Sequence, residues 1–121
     1  MFDYVLANLL ANNERAVGAL FLDDSGETVG MACAEFTPYQ MRVVGAYLGI
    51  YLRQLEQMLA SSTQGKPELV HIEKDALHVH VLPLPDGYYL ALVQRRPALV
   101  ARARATLRDA GDQIRRELFD S

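Results

Sequence analysis

The run VVGAYLGIYL, residues 43–52, holds ten residues without a charge in a chain of 121 whose mean hydropathy is close to zero. A bilayer-spanning helix needs about 20 apolar residues, and Arg42 and Arg53 close this run at both ends, so protein must cover it. On a helical wheel over residues 40–59, Met41, Val43, Val44, Tyr47, Leu48, Tyr51, Leu52, Leu55, Met58 and Leu59 take about half the circumference, where one core-facing stripe needs only ~100°. That is more apolar surface than one sheet covers. Gly45 and Gly49, four residues apart at the margin of this arc, let another backbone come close. A second copy of the same helix is the simplest partner, because a two-fold axis makes one patch self-complementary. The other use of two such glycines is a close seat on the chain's own sheet. The one-sided excess favours self-association, with Met41, Gly45, Leu48, Gly49 and Leu52 at the contact.

Outward from the oily helix, the pattern alternates between helical and strand periods. Phe2 to Ala11 reads as a short helix stopped by Asn12 and Asn13. AVGALFLD (16–23) and TVGMACAEF (28–36) read as a hairpin about the DSGE turn (24–27). Thr37 caps the long helix and Pro38 opens it, and its pattern runs to about Leu59. ASSTQGKP (60–67) is the one linker-like stretch. ELVHIE (68–73), ALHVHVLPL (76–84) and GYYLALVQ (87–94) read as three strands joined by KD and PDG, and Pro97 opens a last helix to Phe119. The first and last strands are apolar on both faces, as central strands covered on both sides must be. ELVHIE alternates, with Val70 and Ile72 on one face and Leu69, His71 and Glu73 on the other, which suits a strand near an edge.

The length fits one domain spanning 1–121, large enough to fold without disulfides or metal. Cys33 is the only cysteine and reads as a small core residue. The N-terminus lacks a basic start and a small-residue cleavage site, so a cytoplasmic location is expected. Residues 1–94 hold 5 basic and 11 acidic side chains, whereas residues 95–121 hold 7 basic and 4 acidic, so the last helix is the basic part. Ten of the twelve basic residues are Arg, a bias that points to a GC-rich bacterial genome.

The order helix, two strands, long helix, three strands, helix resembles the Roadblock domain of dynein light chains and of bacterial MglB-type GTPase regulators. The likeness rests on VGALFLDDSGETVG, on LHVHVLPLPDGYYLALV and on the closing amphipathic helix. The resemblance implies an α+β sandwich: a five-stranded antiparallel sheet, the long helix on one face and the two terminal helices on the other. It also implies a homodimer through the long helix and the third strand, adding Val70 and Ile72 to the interface. Its function would be that of a non-enzymatic regulator or adaptor of a Ras-like small GTPase, or else of a light-chain-like scaffold binding a protein segment. The partner face would be the polar arc Arg42, Ala46, Arg53, Glu56 and Gln57. Contacts that other members make through terminal extensions are not carried over to this chain, whose first helix is short and whose sequence ends at Ser121.

The most enzyme-like constellation is His71, His78 and His80. With KD as a two-residue turn, Glu73 faces Ala76 and His71 faces His78, which puts three imidazoles on one side of the sheet. Three such ligands suffice for a catalytic zinc, but no oriented partners for them are visible, so partly buried strand residues without metal are expected. The chain has no GxxxxGK[ST] loop, so it should not itself bind GTP, and no cofactor is expected. The last helix carries the core stripe Leu99, Val100, Ala103, Leu107, Ala110, Ile114 and Leu118. Beside it stands the row Arg104, Arg108 and Arg115, with Asp112 spaced to pair with Arg108 or Arg116. Without aromatic residues to stack bases, this row reads as a solvated face and not as a nucleic-acid site.

Overall fold

The computed structural model describes residues 1–61, 63 and 65–119. Its elements are α1 (Asp3–Ala11), β1 (Ala16–Leu22), β2 (Thr28–Cys33), α2 (Pro38–Leu59), β3 (Val70–Glu73), β4 (Leu77–Pro83), a 3-10 turn (Pro85–Gly87), β5 (Tyr89–Arg95) and α3 (Val100–Leu118). The strands form one antiparallel sheet in the order β2-β1-β5-β4-β3. The expected α+β sandwich is therefore the observed one. Of the linker-like stretch 60–67, positions 62 and 64 lie outside the described residues.

The sheet separates two cores. Phe21, Leu82, Leu90 and Leu92 meet Val5, Leu6 and Leu9 of α1 and Ala103, Leu107, Ala110 and Ile114 of α3 on one face. Val17, Leu20, Val81, Ala91 and Val93 meet Met41, Leu48 and Leu52 of α2 on the other. β1 and β5 supply both cores, which is why their sequences show no polar alternation. α2 begins with a full capping box: Gln40 N donates to Thr37 Oγ1 at 3.1 Å, and Thr37 N donates to Gln40 Oε1 at 2.9 Å.

Four local readings are corrected. The β3–β4 hairpin pairs Glu73 with His78 and His71 with His80, because Lys74 N bonds Leu77 O at 2.8 Å and the turn centres on Asp75 and Ala76 instead of on KD. Moving the turn centre by one residue shifts each pair by two, so every side chain keeps its face. α3 starts at Val100 and not at Pro97, since Arg96 N still bonds Ala76 O at 2.9 Å and the chain must leave the sheet first. Leu99 is consequently 61% exposed, and Gly111 joins the buried stripe in its place. Cys33 is exposed at the end of β2, a rim strand, and is not a core residue.

The two rims of the sheet differ. Along β2, Met31 N donates to the Asp3 carboxylate at 3.1 Å and Val29 O accepts from the Met1 amine at 3.1 Å, so the segment before α1 occupies that rim. At the other rim stands the four-residue β3, which among the described residues pairs with β4 alone within the sheet.

The glycines of α2 are used inside the chain. A Cβ on Gly49 would lie 2.8 Å from Gly26 Cα, a backbone atom of the β1–β2 turn, whereas one on Gly45 would lie 2.9 Å from Leu22 Cδ2, the end of a flexible side chain. Gly→Ala inside a helix gains about 1 kcal/mol in propensity, and overpacking a tight contact costs about 1–3 kcal/mol. Gly49→Ala is therefore expected to lose stability in urea denaturation by about 1 kcal/mol or more, and Gly45→Ala to change it little; equal effects at both positions would contradict this account.

Candidate functional site

With its buried stripe spent on the sheet, α2 still exposes large apolar side chains on its outer side. Tyr39, Val43, Tyr47, Ile50, Tyr51 and Met58 are all solvent-facing, Met58 at 77% and Tyr47 at 59%. Three of the chain's six tyrosines stand on this one helix. Tyrosine is enriched where one surface meets another, because it brings large contact area with little side-chain entropy to lose. This exposed strip carries part of the excess apolar arc foreseen from VVGAYLGIYL, but its residues differ from those expected. Met41, Gly45, Leu48, Gly49 and Leu52, read from the sequence as contacts to a second copy, are buried inside the chain. The β1–β2 turn lies against Gly49, and Leu22 of β1 lies against Gly45, so both glycines are covered from within the chain.

Val70 and Ile72 of β3 are half-buried on the α2 side of the sheet. α2 itself lies over β1 and β2, so β3 and β4 form the less covered half of that face. A groove of about 850 Å3 joins the two regions, lined in part by Leu52, Leu55, Leu59, Val70, Leu84 and Tyr89. Within it the buried Tyr89 hydroxyl donates to Glu56 Oε1 at 2.7 Å. Burial, followed by the adjacent Glu56 carboxylate, raises the Tyr89 pKa well above the ordinary phenol range, so this hydroxyl remains a donor at neutral pH.

The polar arc Arg42, Ala46, Arg53, Glu56 and Gln57 is exposed as a row along α2. Two of its members are already engaged: Arg53 Nη1 donates to Asp24 O at 3.4 Å, and Glu56 accepts from Tyr89. This end of the helix is thereby fixed to the β1–β2 turn and to β5. On α3, Arg104, Arg108 and Arg115 are exposed as expected, but Asp112 pairs with neither Arg108 nor Arg116. The ion pairs among the described residues are Met1–Asp3, Glu35–Arg95 and Glu73–Arg96. Exposed charges gain little from pairing in water, which leaves helix spacing alone too weak to impose a partner.

His71, His78 and His80 do lie together, on the face covered by α3. Their ring centroids are 4.8 Å (71–80), 5.0 Å (71–78) and 5.8 Å (78–80) apart. His71 Nε2 and His78 Nδ1 share a hydrogen bond of 2.9 Å. His80 is wholly buried; its Nε2 is 3.0 Å from Gln94 Oε1, while Gln94 Nε2 donates to Glu14 O at 3.1 Å. The Gln94 amide is thus oriented so that His80 carries its proton on Nε2, and Nδ1 is left without a partner. Burial drives the His80 pKa down to about 4, and burial with the adjacent His78 lowers that of His71. Gln94 was not singled out in the sequence, although a lone amide after ALV at the end of an apolar strand is the signal for it.

Two of the three ring pairs are near-parallel, with interplanar angles of 18° and 27°. Lone pairs in parallel planes do not converge, and among the described residues no group of three or more His, Cys, Asp or Glu is placed to hold a metal ion. Elemental analysis after mild purification is expected to find less than one equivalent of zinc. A full equivalent lost on His78→Ala would instead restore a metal-dependent activity as a reading of this face.

The arrangement of sheet and helices is that of the Roadblock/LC7 fold. The chain is similar to a Roadblock/LC7 domain from Streptomyces avermitilis, with a TM-score of 0.86 over 97% of both chains at 17% identity. It is also similar to Myxococcus xanthus MglB, with a TM-score of 0.87 over 98% of this chain and 95% of that one at 9% identity. An MglB with a tetrameric arrangement aligns with a TM-score of 0.83 over 93% of this chain and 84% of that one at 15% identity. No family model and no curated protein matches at the level of sequence. Among the described residues, no helix is long and apolar enough to cross a membrane.

Proposed function

We propose that the chain is a single regulatory domain, without catalytic activity of its own, that pairs with a second copy and binds a Ras-like small GTPase on the platform made by the two α2 helices. The observation that carries this reading is the row of large apolar side chains left exposed on α2, which a chain acting alone has no use for. The fold shared with MglB supports it, and so does the resemblance to MglB-type GTPase regulators in the segments 17–30 and 77–93.

In the proposed pair, Tyr47, Tyr51 and Met58, all exposed on α2, pack against their twins together with the half-buried Val70 and Ile72. The interface thus keeps the helix and strand expected from the sequence and exchanges the buried residues of α2 for its exposed ones. The partner then meets Arg42, Ala46, Arg53, Glu56 and Gln57, with Val43 and Ile50 beside them. Ras-like GTPases order their switch segments around the γ-phosphate, so a rigid platform that touches the ordered form favours one nucleotide state. Arg42 offers charge-assisted contacts, and Arg53, already held by Asp24 O, serves to position and not to reach a buried phosphate.

The test is a titration with a Ras-like GTPase encoded near this gene, in its GDP form and bound to a non-hydrolysable GTP analogue. Tighter binding to the GTP-analogue form is expected. Tyr51→Glu should yield a monomer by light scattering, and Arg42→Glu should leave the dimer intact while weakening the GTPase complex. Arg53→Ala is expected to leave saturated hydrolysis within a few-fold, far from the roughly 10³–10⁵-fold loss that follows removal of a catalytic arginine. Absent or equal binding of both nucleotide forms would favour the light-chain-like scaffold.

A further inference from the structure

We propose that His71, His78 and His80 form a proton-operated latch, which holds the edge strand β3 on the sheet while the rings are neutral and releases it when the His71–His78 contact takes up a second proton. The hydrogen bond of 2.9 Å between His71 Nε2 and His78 Nδ1 needs one N–H and one lone pair. It survives with one added proton, because either ring can be the donor. With both rings cationic, both facing nitrogens carry hydrogen and the contact is lost. His80 adds a third ring stacked 4.8 Å from His71, fixed by Gln94 and wholly buried, so its orphaned Nδ1 has no route to solvation without opening the structure.

The charges around the cluster do not relieve it. Arg104 from α3 and Arg96 from the segment after β5 both oppose a positive charge on His71, and His78 and His80 do so from β4 once charged. β5 contributes the neutral Gln94, and the segment before β1 contributes only the Glu14 carbonyl, which holds that amide. The acid acting on His71 is Glu73 of β3, already paired with Arg96 at 3.1 Å. β3 itself is four residues long and, among the described residues, pairs with β4 alone within the sheet, with Val70 and Ile72 only half-buried, so within one chain the strand has little else to hold it.

The direction with pH follows. An unconstrained imidazole titrates near 6.5, and in the closed cluster the His71 pKa lies below that value. Released β3 therefore binds protons that closed β3 refuses. The latch is at full strength above about pH 6.5 and weakens as pH falls toward the depressed value in the closed form, each extra proton changing the opening equilibrium by up to about tenfold per pH unit. The latch acts within one chain, and pairing through Val70 and Ile72 as proposed above would add to the hold on β3, which measurement at two protein concentrations separates.

Amide hydrogen exchange of the full chain between pH 7.5 and 5 tests it, with protection factors corrected for intrinsic exchange and measured at two protein concentrations tenfold apart. The β3 amides that pair with β4 should lose about tenfold or more in protection relative to β1 and β5, equally at both concentrations. His71→Gln keeps a donor for His78 Nδ1 but cannot be protonated, so it should hold the pH 7.5 protection within a few-fold and flatten the pH dependence. His71→Asn, which likewise cannot be protonated, serves in the same way if the first variant folds poorly. A wild-type β3 whose protection is unchanged by pH, or a slope that persists in the folded variants, would overturn the latch. So would a loss that scales with concentration, which would report separation of a pair.

Discussion

The whole arrangement depends on two strands that have no wet side. β1 and β5 lie next to each other near the middle of the sheet, and both of their faces are buried. Such strands require a layer of helix above and another below, and the chain supplies α2 to one and α1 with α3 to the other. The division of labour is unequal. Two helices share one face, and Asn13, just after α1, donates to Thr106 Oγ1 of α3 at 2.8 Å in a partly buried contact. On the other face α2 stands alone over β1 and β2, and the less covered half of the sheet is where the candidate interface begins.

Element order, the covering of both sheet faces and the cap of α2 were legible in the sequence because each depends on local chemistry. Thr37 and Pro38 mark a helix start wherever they occur, and ELVHIE shows its two faces by alternation. What was not legible is which neighbour arrives at a surface. Gly45 and Gly49 announce a close approach, but nothing nearby in sequence says that the visitors are Leu22 of β1 at the first and the turn at Gly26, folded back from more than twenty residues earlier, at the second. The same limit explains Tyr47 and Tyr51. They belong to the apolar arc on a wheel, yet only the position of the sheet divides that arc into a buried part and an exposed part. Arg53 and Glu56 likewise gained intrachain partners that no spacing rule supplies.

The histidines show the opposite case, where an error in detail left the conclusion intact. Placing the hairpin turn one residue early changed which rings face each other across the ladder, but the period of two kept all three on one face. The inference about faces is therefore sturdier than the inference about pairs. Gln94, which decides the tautomer of His80, shows where reading motifs stops: a single amide has no pattern of its own.

The unequal rims of the sheet bear on how large an assembly can become. A sheet with two free rims can add copies at both sides without end, which is the geometry of a fibre. Here Asp3 and the segment before α1 lie along β2 and take up hydrogen-bonding groups that a newcomer would need. Among the described residues the β3 rim carries no such contacts, and a pairing that used the same rim on both partners would consume that rim in forming. The contacts already made along β2 thus set the two rims apart as places for a further strand.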